Sequence, residues 1–460
     1  MSVAKWTFAA GLLLLLGGCA SVDPTPDYDQ AEREVVAATG ADALYHPGEE
    51  EEARERVEQL LLDGLTPQEV AQIALLNNRG LQGLLLEIGM SRADAVQAGL
   101  LSNPSLEALV RLPVDSGSTT TEGGLIQNLI ELWSLPARER LAESRTEQKV
   151  LEVAHRAVIL AAQAKSAYYA AVASSSAASV AEENLATARG FLELTLERQE
   201  AGAATQVDVN AARSTFLEQQ VIVRESEFAA YDSKRRLALV LGLGTPPEQL
   251  VLLGPFTEPP VFTADLARLL AMAEVHRLDL RAVEKEVEAA ENALALERRL
   301  LLREGRGGLA FESEGGDLAI GPAVELELPI FDQNQAQIAK AEYRHAQATR
   351  RLEGLSASVA QQVRGAYERF SAARDTARLF RTELLPLREA SLELARESFA
   401  AGKTGFLSVL EAQDRLLAAR REYVSRLESV LTGLADLEAA CGRPVDLLFE
   451  AAESSERGGG

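Results

Sequence analysis

The chain has 460 residues, and 46 Lys and Arg stand against 69 Asp and Glu, so its formal net charge is −23. A surface of that sign repels phosphate backbones, which argues against a nucleic-acid partner. Hydrophobic residues make up 47% of the chain and aromatic residues only 5%. This composition is typical of long packed helices and predicts a mainly helical protein.

The amino terminus has the parts of a secretory signal. Lys5 precedes an apolar run over 8–16, and small residues lead to Cys19. The run is too short to remain in a bilayer as a spanning helix. The stretch before the cysteine resembles a bacterial lipobox. That resemblance implies that 1–18 is a lipoprotein signal peptide, that Cys19 is lipidated (palmitate), and that the protein is sorted to the outer membrane.

The next segment, 19–62, is predicted to be an acidic linker between the lipid anchor and the folded part of the chain. Its run Glu49–Glu52 is interpreted as a solvated cluster of charges, with a metal site as the alternative. The tail 449–460 is predicted to be flexible.

The first half of the folded chain, 63–259, is predicted to run helix, strand, strand, long helix, helix. Thr66 followed by Pro67 is typical of a helix start, and Asn103-Pro104 is typical of a helix end. Alternating or turn-bounded runs predict the strands, and an uninterrupted run without proline predicts the long helix. The predicted bounds are Thr66–Leu101, Ser105–Leu112, Leu125–Trp133, Ala137–Glu200 and Thr205–Leu241.

The second half, 260–448, is predicted to repeat the same order. A kink is expected at Pro386 inside the second long helix. The predicted bounds are Thr263–Leu302, Leu309–Glu314, Leu318–Ile330, Gln333–Ala400 and Phe406–Cys441.

The two halves are related by an offset of 200 residues. Ala201-Gly202 recurs as Ala401-Gly402, and Leu192-Glu193-Leu194 recurs as Leu392-Glu393-Leu394. Shared helical composition could produce part of this agreement, but the paired Ala-Gly favours duplication of a domain-sized unit. Each long helix has about the combined length of the two shorter helices in its half, which predicts lateral, coiled-coil-like packing.

The last predicted strand separates apolar from charged residues. Val324, Leu326, Leu328 and Ile330 alternate with Glu325 and Glu327. This pattern fits the wall of a membrane barrel with a wet lumen, and it also fits a half-buried strand of a soluble sheet. Because a chain with about four strands cannot close a barrel alone, spanning would require several chains. Glu325 and Glu327 are the candidate lumen residues.

Three motifs resemble the TolC-like outer membrane factors, the exit ducts of tripartite efflux pumps. They are Asn77-Asn78-Arg79-Gly80-Leu81 with the later Asn103-Pro104, the junction 328–335, and the paired turns 201–209 and 401–409. The junction is closest to the heavy-metal-efflux branch. The resemblance covers about 66–448.

The resemblance implies a mainly α fold with a small β part and an internal two-fold structural repeat. In a homotrimer, long coiled-coil helices would form an α-barrel in the periplasm, and four strands per chain would form a shared 12-stranded barrel in outer-membrane lipid. The implied partners are a periplasmic membrane-fusion (adaptor) protein and an inner-membrane transporter of the RND type.

The resemblance also implies that the two turns form a periplasmic tip, or gate. Asp208 falls at the tip aspartate of the family, whereas Ser408 departs from that pattern in the second turn. Three copies of Asp208 converging in a trimer would favour cations. The alternative is a charge that only stabilises a helix start. The candidate tip residues are Gly202, Thr205, Asp208, Gly402, Lys403, Thr404 and Ser408.

The sequence offers no catalytic, cofactor or metal site. The four histidines are scattered outside any HExxH pattern, and Cys441 is interpreted as a small buried hydrophobe. The leading interpretation is therefore a passive, non-enzymatic efflux channel whose exported compound (metal ion, drug or other) is open. The alternative is a lipid-anchored periplasmic coiled-coil scaffold without a pore.

Overall fold

The structure is a computed structural model that describes residues 21–114, 119–253, 256–259, 265–301, 305–314 and 317–444. Cys19 and the predicted tail therefore lie outside the described residues. In the first half the elements are α1 (Thr25–Thr39), α2 (Glu50–Leu60), α3 (Pro67–Asn77), α4 (Arg79–Ala98), β1 (Ser105–Arg111), β2 (Thr120–Asn128), α5 (Ile130–Glu200) and α6 (Gln206–Val240). In the second half they are α7 (Leu266–His276), α8 (Leu278–Arg299), β3 (Gly305–Glu314), β4 (Asp317–Leu326), α9 (Gln335–Leu379), α10 (Leu385–Ala400) and α11 (Phe406–Cys441). In both halves helices precede two strands, and a long helical segment and a return helix follow them, but the first predicted helix of each half is divided in two.

The chain divides into two compact units that do not coincide with its two halves. The first unit comprises Met1–Gln30, Leu85–Val153 and Asp279–Leu355, and the second comprises Ala31–Leu84, Ala154–Leu278 and Ser356–Gly460. Each unit takes segments from both halves, and in the first unit the strands of both halves pair in one sheet. That sheet lies in the first unit, has the order β1-β2-β3-β4, and is antiparallel throughout.

In the second unit, both halves end their return helix in the same way. The side-chain amides of Asn77 and Asn78 donate to the last carbonyls of α6, at 2.9 Å to Leu241 O and 2.9 Å to Val240 O. One repeat later, Arg277 Nη1 donates to Ala440 O near the end of α11 at 3.3 Å. These contacts satisfy carbonyl groups that a helix end leaves without partners.

The same contacts explain a wrong prediction. The first helix was expected to be continuous over Thr66–Leu101, but it breaks at Asn78, which has φ −69° and ψ 113°. Asn78 leaves the helix because its side chain caps the ends of two other helices. Its Oδ1 accepts from Leu81 N at the start of α4 at 3.1 Å, and its Nδ2 donates to Val240 O at the end of α6. The repeat breaks at Arg277, with φ −66° and ψ 116°.

Two further boundaries differ from the prediction. The second strand ends at Asn128 and a helix begins at Ile130, so Trp133 is helical; Asn128 Oδ1 accepts from Ile130 N at 3.1 Å. The fourth strand ends at Leu326, so Leu328 and Ile330 lie beyond it. Thr263, the predicted helix cap, lies outside the described residues, and Asp265 caps α7 instead.

The second long helix is interrupted where the kink was expected. Phe380–Leu384 forms one turn of π-helix between α9 and α10. Pro386 is the second residue of the helix that follows, and a proline lacks the N–H that would continue the α-helical pattern. The wider turn accommodates this missing donor.

Most of the predicted linker is folded. Ala31 and Val35 of α1 are fully buried, because apolar residues recur along one face of that helix. Glu49–Glu52 are exposed at the start of α2, in agreement with a solvated run of charges. Among the described residues, every helix is too short or too polar to cross a lipid bilayer.

Candidate functional site

The sheet of the first unit has one apolar face. The register places Leu106 opposite Leu125, Leu125 opposite Leu309, and Leu309 opposite Pro322, so residues on the same side of four strands can be identified. Large apolar residues on this side are exposed, with 68% for Ile320 and 81% for Val324. The apolar face contains Leu106, Val110, Leu125, Leu309, Phe311, Leu318, Ile320, Pro322 and Val324.

The opposite face is acidic. It carries six carboxylates and two guanidinium groups: Glu107, Glu122, Glu312, Glu314, Asp317, Glu325, Arg111 and Arg306. Glu122 stands directly opposite Glu312, an arrangement that disfavours folding by repulsion unless the charges are solvated or neutralised. Arg111 pairs with Glu122, and Arg306 lies 3.8 Å from Glu325. The face therefore keeps an excess of negative charge.

A shallow depression of about 620 Å³ opens on this acidic face. Glu107, Glu122 and Glu312 contribute to its lining, together with the apolar Leu109 and Ile126 and with small residues such as Gly124 and Ala319. Small side chains between carboxylates leave room for water. The sheet thus has the two-sided chemistry that a wall between lipid and water requires.

The second unit carries two helical hairpins with matching turns. The first tip hairpin is formed by the end of α5, residues 201–205 and the start of α6; the second tip hairpin is formed by the end of α10, residues 401–405 and the start of α11. Gly202 and Gly402 have φ +71° and +69°, the left-handed conformation that glycine adopts without strain. Ala203 N donates to Arg198 O at 2.7 Å, and Lys403 N donates to Ser398 O at 2.8 Å. The predicted turns are confirmed as equivalent helix ends.

The helices that follow the two turns start differently. Thr205 and Asp208 form a capping box, in which Asp208 N donates to Thr205 Oγ1 at 3.2 Å and Thr205 N donates to Asp208 Oδ2 at 2.8 Å. In the second hairpin the corresponding first position is Gly405, and Ser408 Oγ donates to Gly405 O at 2.6 Å. The duplication therefore preserves the turn but not the cap.

Hydrogen bonds from the Thr205 backbone and side chain lower the pKa of Asp208, so its carboxylate is charged at neutral pH. Among the described residues, all of its hydrogen bonds go to Thr205, and Oδ1 forms none. The geometry assigns the carboxylate a capping contact and leaves one oxygen toward solvent.

We expect Asp208→Ala to weaken the start of α6 by about 1 kcal/mol, because it removes half of the capping box. Since the folded pKa is lowered, this contribution is present above about pH 4 and is lost as the pH falls through the folded value. Amide hydrogen exchange of residues 205–209 at neutral pH measures the effect. Ser408→Ala is the control and should change its own helix start less. Equal effects would contradict the asymmetry of the caps.

The structure places the predicted site residues in the two hairpins and in or beside the sheet. Gly202, Thr205 and Asp208 lie together in the first tip hairpin, and their counterparts Gly402, Lys403, Thr404 and Ser408 lie in the second. Glu325 lies on the acidic face of the sheet, whereas Glu327 follows the end of β4. The described residues contain no group of three or more His, Cys, Asp or Glu side chains that could hold a metal ion.

Sequence reasoning missed two sets of contacts. In the first unit, Arg92 binds Asp27 at 2.6 Å and Glu143 at 2.8 Å, and these hydrogen bonds raise the pKa of the guanidinium further. In the second unit, the guanidinium of Arg198 lies over the ring of Phe399. No local pattern signals either contact, since the partners are far apart in the sequence.

Comparisons with known proteins agree with this geometry. The family model for outer membrane efflux proteins matches residues 269–443. The chain is similar to the cobalt-zinc-cadmium resistance protein CzcC of Cupriavidus metallidurans, with 23% identity over 387 residues, which cover 82% of this chain and 90% of CzcC. It is similar to the toluene efflux pump outer membrane protein TtgC of Pseudomonas putida, with 24% identity over 475 residues and 93% of each chain. The open state of the Neisseria gonorrhoeae MtrE outer membrane channel has a TM-score of 0.66 at 19% identity, over 85% of this chain and 89% of MtrE.

Proposed function

We propose that the chain is a TolC-like outer membrane factor, an efflux channel of the outer membrane like the proteins it resembles, and that it is the passive exit duct of a tripartite pump. The observation that carries the proposal is the two-faced sheet of the first unit. Its apolar face suits lipid, and its acidic face suits a water-filled lumen. In this proposal the partner transporter supplies the energy for export, and this chain provides the channel through which the exported compound leaves.

The proposed assembly is a homotrimer. The described sheet has four strands, with β1 and β4 at its edges. A sheet in lipid must pair every edge, because unpaired backbone groups are costly there. Pairing β4 of one copy with β1 of the next closes a barrel of twelve strands from three copies, which exceeds the minimum of about eight.

The proposed attachments are a lipid anchor and a docking surface for partner proteins. Lipidation of Cys19 tethers the amino terminus to the outer membrane. The two tip hairpins, with Gly202 and Gly402 at their turns, dock a periplasmic adaptor protein and through it an inner-membrane transporter of the RND type. The relatives are named for cobalt, zinc and cadmium in one case and for toluene in another, so the proposal specifies no single cargo.

Single-channel recording of the detergent-extracted protein in a planar bilayer, with its oligomeric mass determined in parallel, tests the proposal. Discrete conductance from a trimer supports the duct. A folded protein without conductance that is released into the soluble fraction when Cys19 is replaced would overturn it and favour the lipid-anchored scaffold.

We expect the double variant Glu122→Gln and Glu312→Gln to lower the preference of the channel for cations severalfold, because it removes two carboxylates per copy from the proposed lumen wall. The reversal potential in a KCl gradient measures this preference. The control is the double variant Glu52→Gln and Glu55→Gln, which removes the same charge from exposed positions of α2. An unchanged reversal potential in the first variant would place the acidic face outside the ion path.

The same recording with Asp208→Ala distinguishes the contribution of this carboxylate to cation preference from that of the acidic face of the sheet. If three copies of Asp208 converge at the tip, we expect a further loss of cation preference. If the carboxylate serves only its cap, the preference stays unchanged while the conductance persists.

A further inference from the structure

A small cavity lies between three helices of the first unit, on the side of the sheet where α4 ends and α5 begins. It has a volume of about 300 Å³, at the lower end of the range of about 300–1,000 Å³ that small-molecule sites occupy. Ala98 of α4, Leu141 and Ala142 of α5 and Leu296 of α8 form its apolar wall. The cavity therefore has room for a small compound with an apolar body.

Two arginines of α5 complete the lining. Arg138 and Arg145 are seven residues apart, which is close to two helical turns, so their side chains leave the same side of α5. Among the described residues, neither arginine forms an ion pair. Lysines that bridge the same three helices are paired: Lys149 lies 3.2 Å from Glu87, and Lys285 lies 2.6 Å from Glu147. The two arginines thus keep their charge free for another partner.

The Arg138 side chain has a buried donor. Its Nη2 donates to Leu100 O at 3.4 Å, whereas its Nε is buried and has no hydrogen-bond partner among the described residues. A buried N–H normally has an acceptor. An arginine that only covers apolar surface with its stem keeps its charged head in water, which fits the exposed Arg145 and not the Nε of Arg138. The cavity offers a buried donor beside an apolar wall.

The charge of the lining favours an anion. Among the described residues that line the cavity, Asp94 is the one carboxylate, and it forms no ion pair with either arginine. Two guanidinium groups and one carboxylate leave a net charge of +1 in a chain whose net charge is −23. An anion placed there also gains hydrogen bonds from guanidinium groups, which are stronger than bonds between neutral groups.

The cavity lies on the side of α4 and α5 that faces away from α1. Arg140 lines a separate depression on these two helices together with Arg92, which binds Asp27 of α1. At 3.6 residues per turn, Arg140 lies about 160° around the axis of α5 from Arg138. A segment tethered to lipid reaches a closed barrel from outside. In the proposed duct, the side of α1 is therefore the outer side, and the cavity belongs to the lumen.

We propose that this cavity is a contact site for exported compounds and that it takes small amphipathic anions. Arg138 and Arg145 bind the carboxylate or sulfonate group, and Leu141 and Leu296 contact the apolar body. The inference rests on the proposed duct and deepens it by naming a class of cargo. The site attracts an anion next to a sheet whose acidic face repels it. Binding must remain weak, because a compound in transit has to leave again.

Binding of naphthalene-2-sulfonate to the detergent-extracted protein tests the site without reference to conduction. Fluorescence anisotropy in a non-ionic detergent measures the affinity, and the neutral naphthalene-2-sulfonamide is the matched probe. We expect Arg138→Gln to weaken binding of the sulfonate about tenfold or more, the loss that follows from a hydrogen bond to a charged group. Arg145→Gln should weaken it less, because Arg145 is exposed. Asp94→Asn should strengthen binding, because it removes a like charge.

The matched control is Arg140→Gln, which removes the same charge two residues away, on the opposite side of α5. It should bind the sulfonate like the wild type. Circular dichroism shows whether each variant is folded, and the gain expected for Asp94→Asn does not depend on a loss of structure. The proposal is overturned if Arg138→Gln binds like the wild type, if Arg140→Gln loses as much affinity, or if the sulfonamide binds as tightly as the sulfonate.

Single-channel recording then relates the cavity to the duct. We expect the sulfonate to reduce the current through the wild type over the concentrations at which it binds, and Arg138→Gln to require about ten times more, in proportion to its weaker binding. A wild type that binds the sulfonate but does not conduct would defeat the proposed function and keep the binding site. A conducting wild type whose current is unchanged by bound sulfonate would place the cavity outside the path and overturn its role in export.

Discussion

Ile320→Arg is expected to abolish assembly of the protein in the outer membrane. Ile320 is 68% exposed on the apolar face of β4. An arginine that faces lipid near the bilayer midplane costs about 2–4 kcal/mol in a barrel, and three copies multiply that cost. The measurement is the amount of trimer recovered from the outer-membrane fraction relative to the total protein made.

The neighbouring residue provides the control. Ala319 is exposed on the acidic face, opposite Glu312, so Ala319→Arg places the same charge beside a carboxylate on the proposed water side. We expect this variant to reach the outer membrane in nearly normal amounts. Equal recovery of the two variants would show that the apolar face does not meet lipid.

This pair of variants also shows how far the sequence could predict the site. The alternation in β4 placed Glu325 on a polar side from the sequence alone, since strand residues alternate between faces. Glu122 and Glu312 gave no comparable signal, because Thr120–Asn128 and Gly305–Glu314 are rich in glycine and small residues. Their shared face depends on the register between distant strands, and a shift of one residue would reverse it.

The helices likewise have some features that the sequence predicts and others that it does not. The turns at Gly202 and Gly402 were predictable because glycine reports a left-handed conformation locally. The breaks at Asn78 and Arg277 were not, since neither position contains proline or glycine and the preceding helices read as continuous. These residues leave the helix to bind the ends of α6 and α11, about 160 residues away in each case. Such a tertiary contact outweighs local helix propensity.

The contact between Arg198 and Phe399 could not be predicted from the sequence. A motif search compares each hairpin with its duplicate, and the duplicate carries neither residue. What distinguishes the pair is its geometry, since the guanidinium lies over a ring from another hairpin and its Nε has no hydrogen-bond partner among the described residues. The two turns are equivalent, and the contact between Arg198 and Phe399 joins residues that the duplication does not repeat.

Gly242→Ala is expected to lower the thermal stability of the second unit strongly. Gly242 ends α6 with φ +68°, and a Cβ there would lie 2.9 Å from Asn77 O and 3.3 Å from Asn78 Cα. The left-handed conformation costs a non-glycine residue about 1–2 kcal/mol, and the backbone contact adds a steric cost of about 1–3 kcal/mol. The same alanine at Gly202, with φ +71° and no other atoms within 4 Å, isolates the first cost.

Thermal melting of the detergent-extracted protein, followed by helical circular dichroism, compares the two variants. We expect Gly242→Ala to melt several degrees below Gly202→Ala, which itself lies slightly below the wild type. Gly442→Ala should behave like Gly242→Ala, because its φ is +73° and its Cβ would lie 3.0 Å from His276 O in the second repeat. If Gly242→Ala and Gly202→Ala melted together, the helix breaks at Asn78 and Arg277 would not hold the ends of the return helices, and the duplicated cap would lose its structural role.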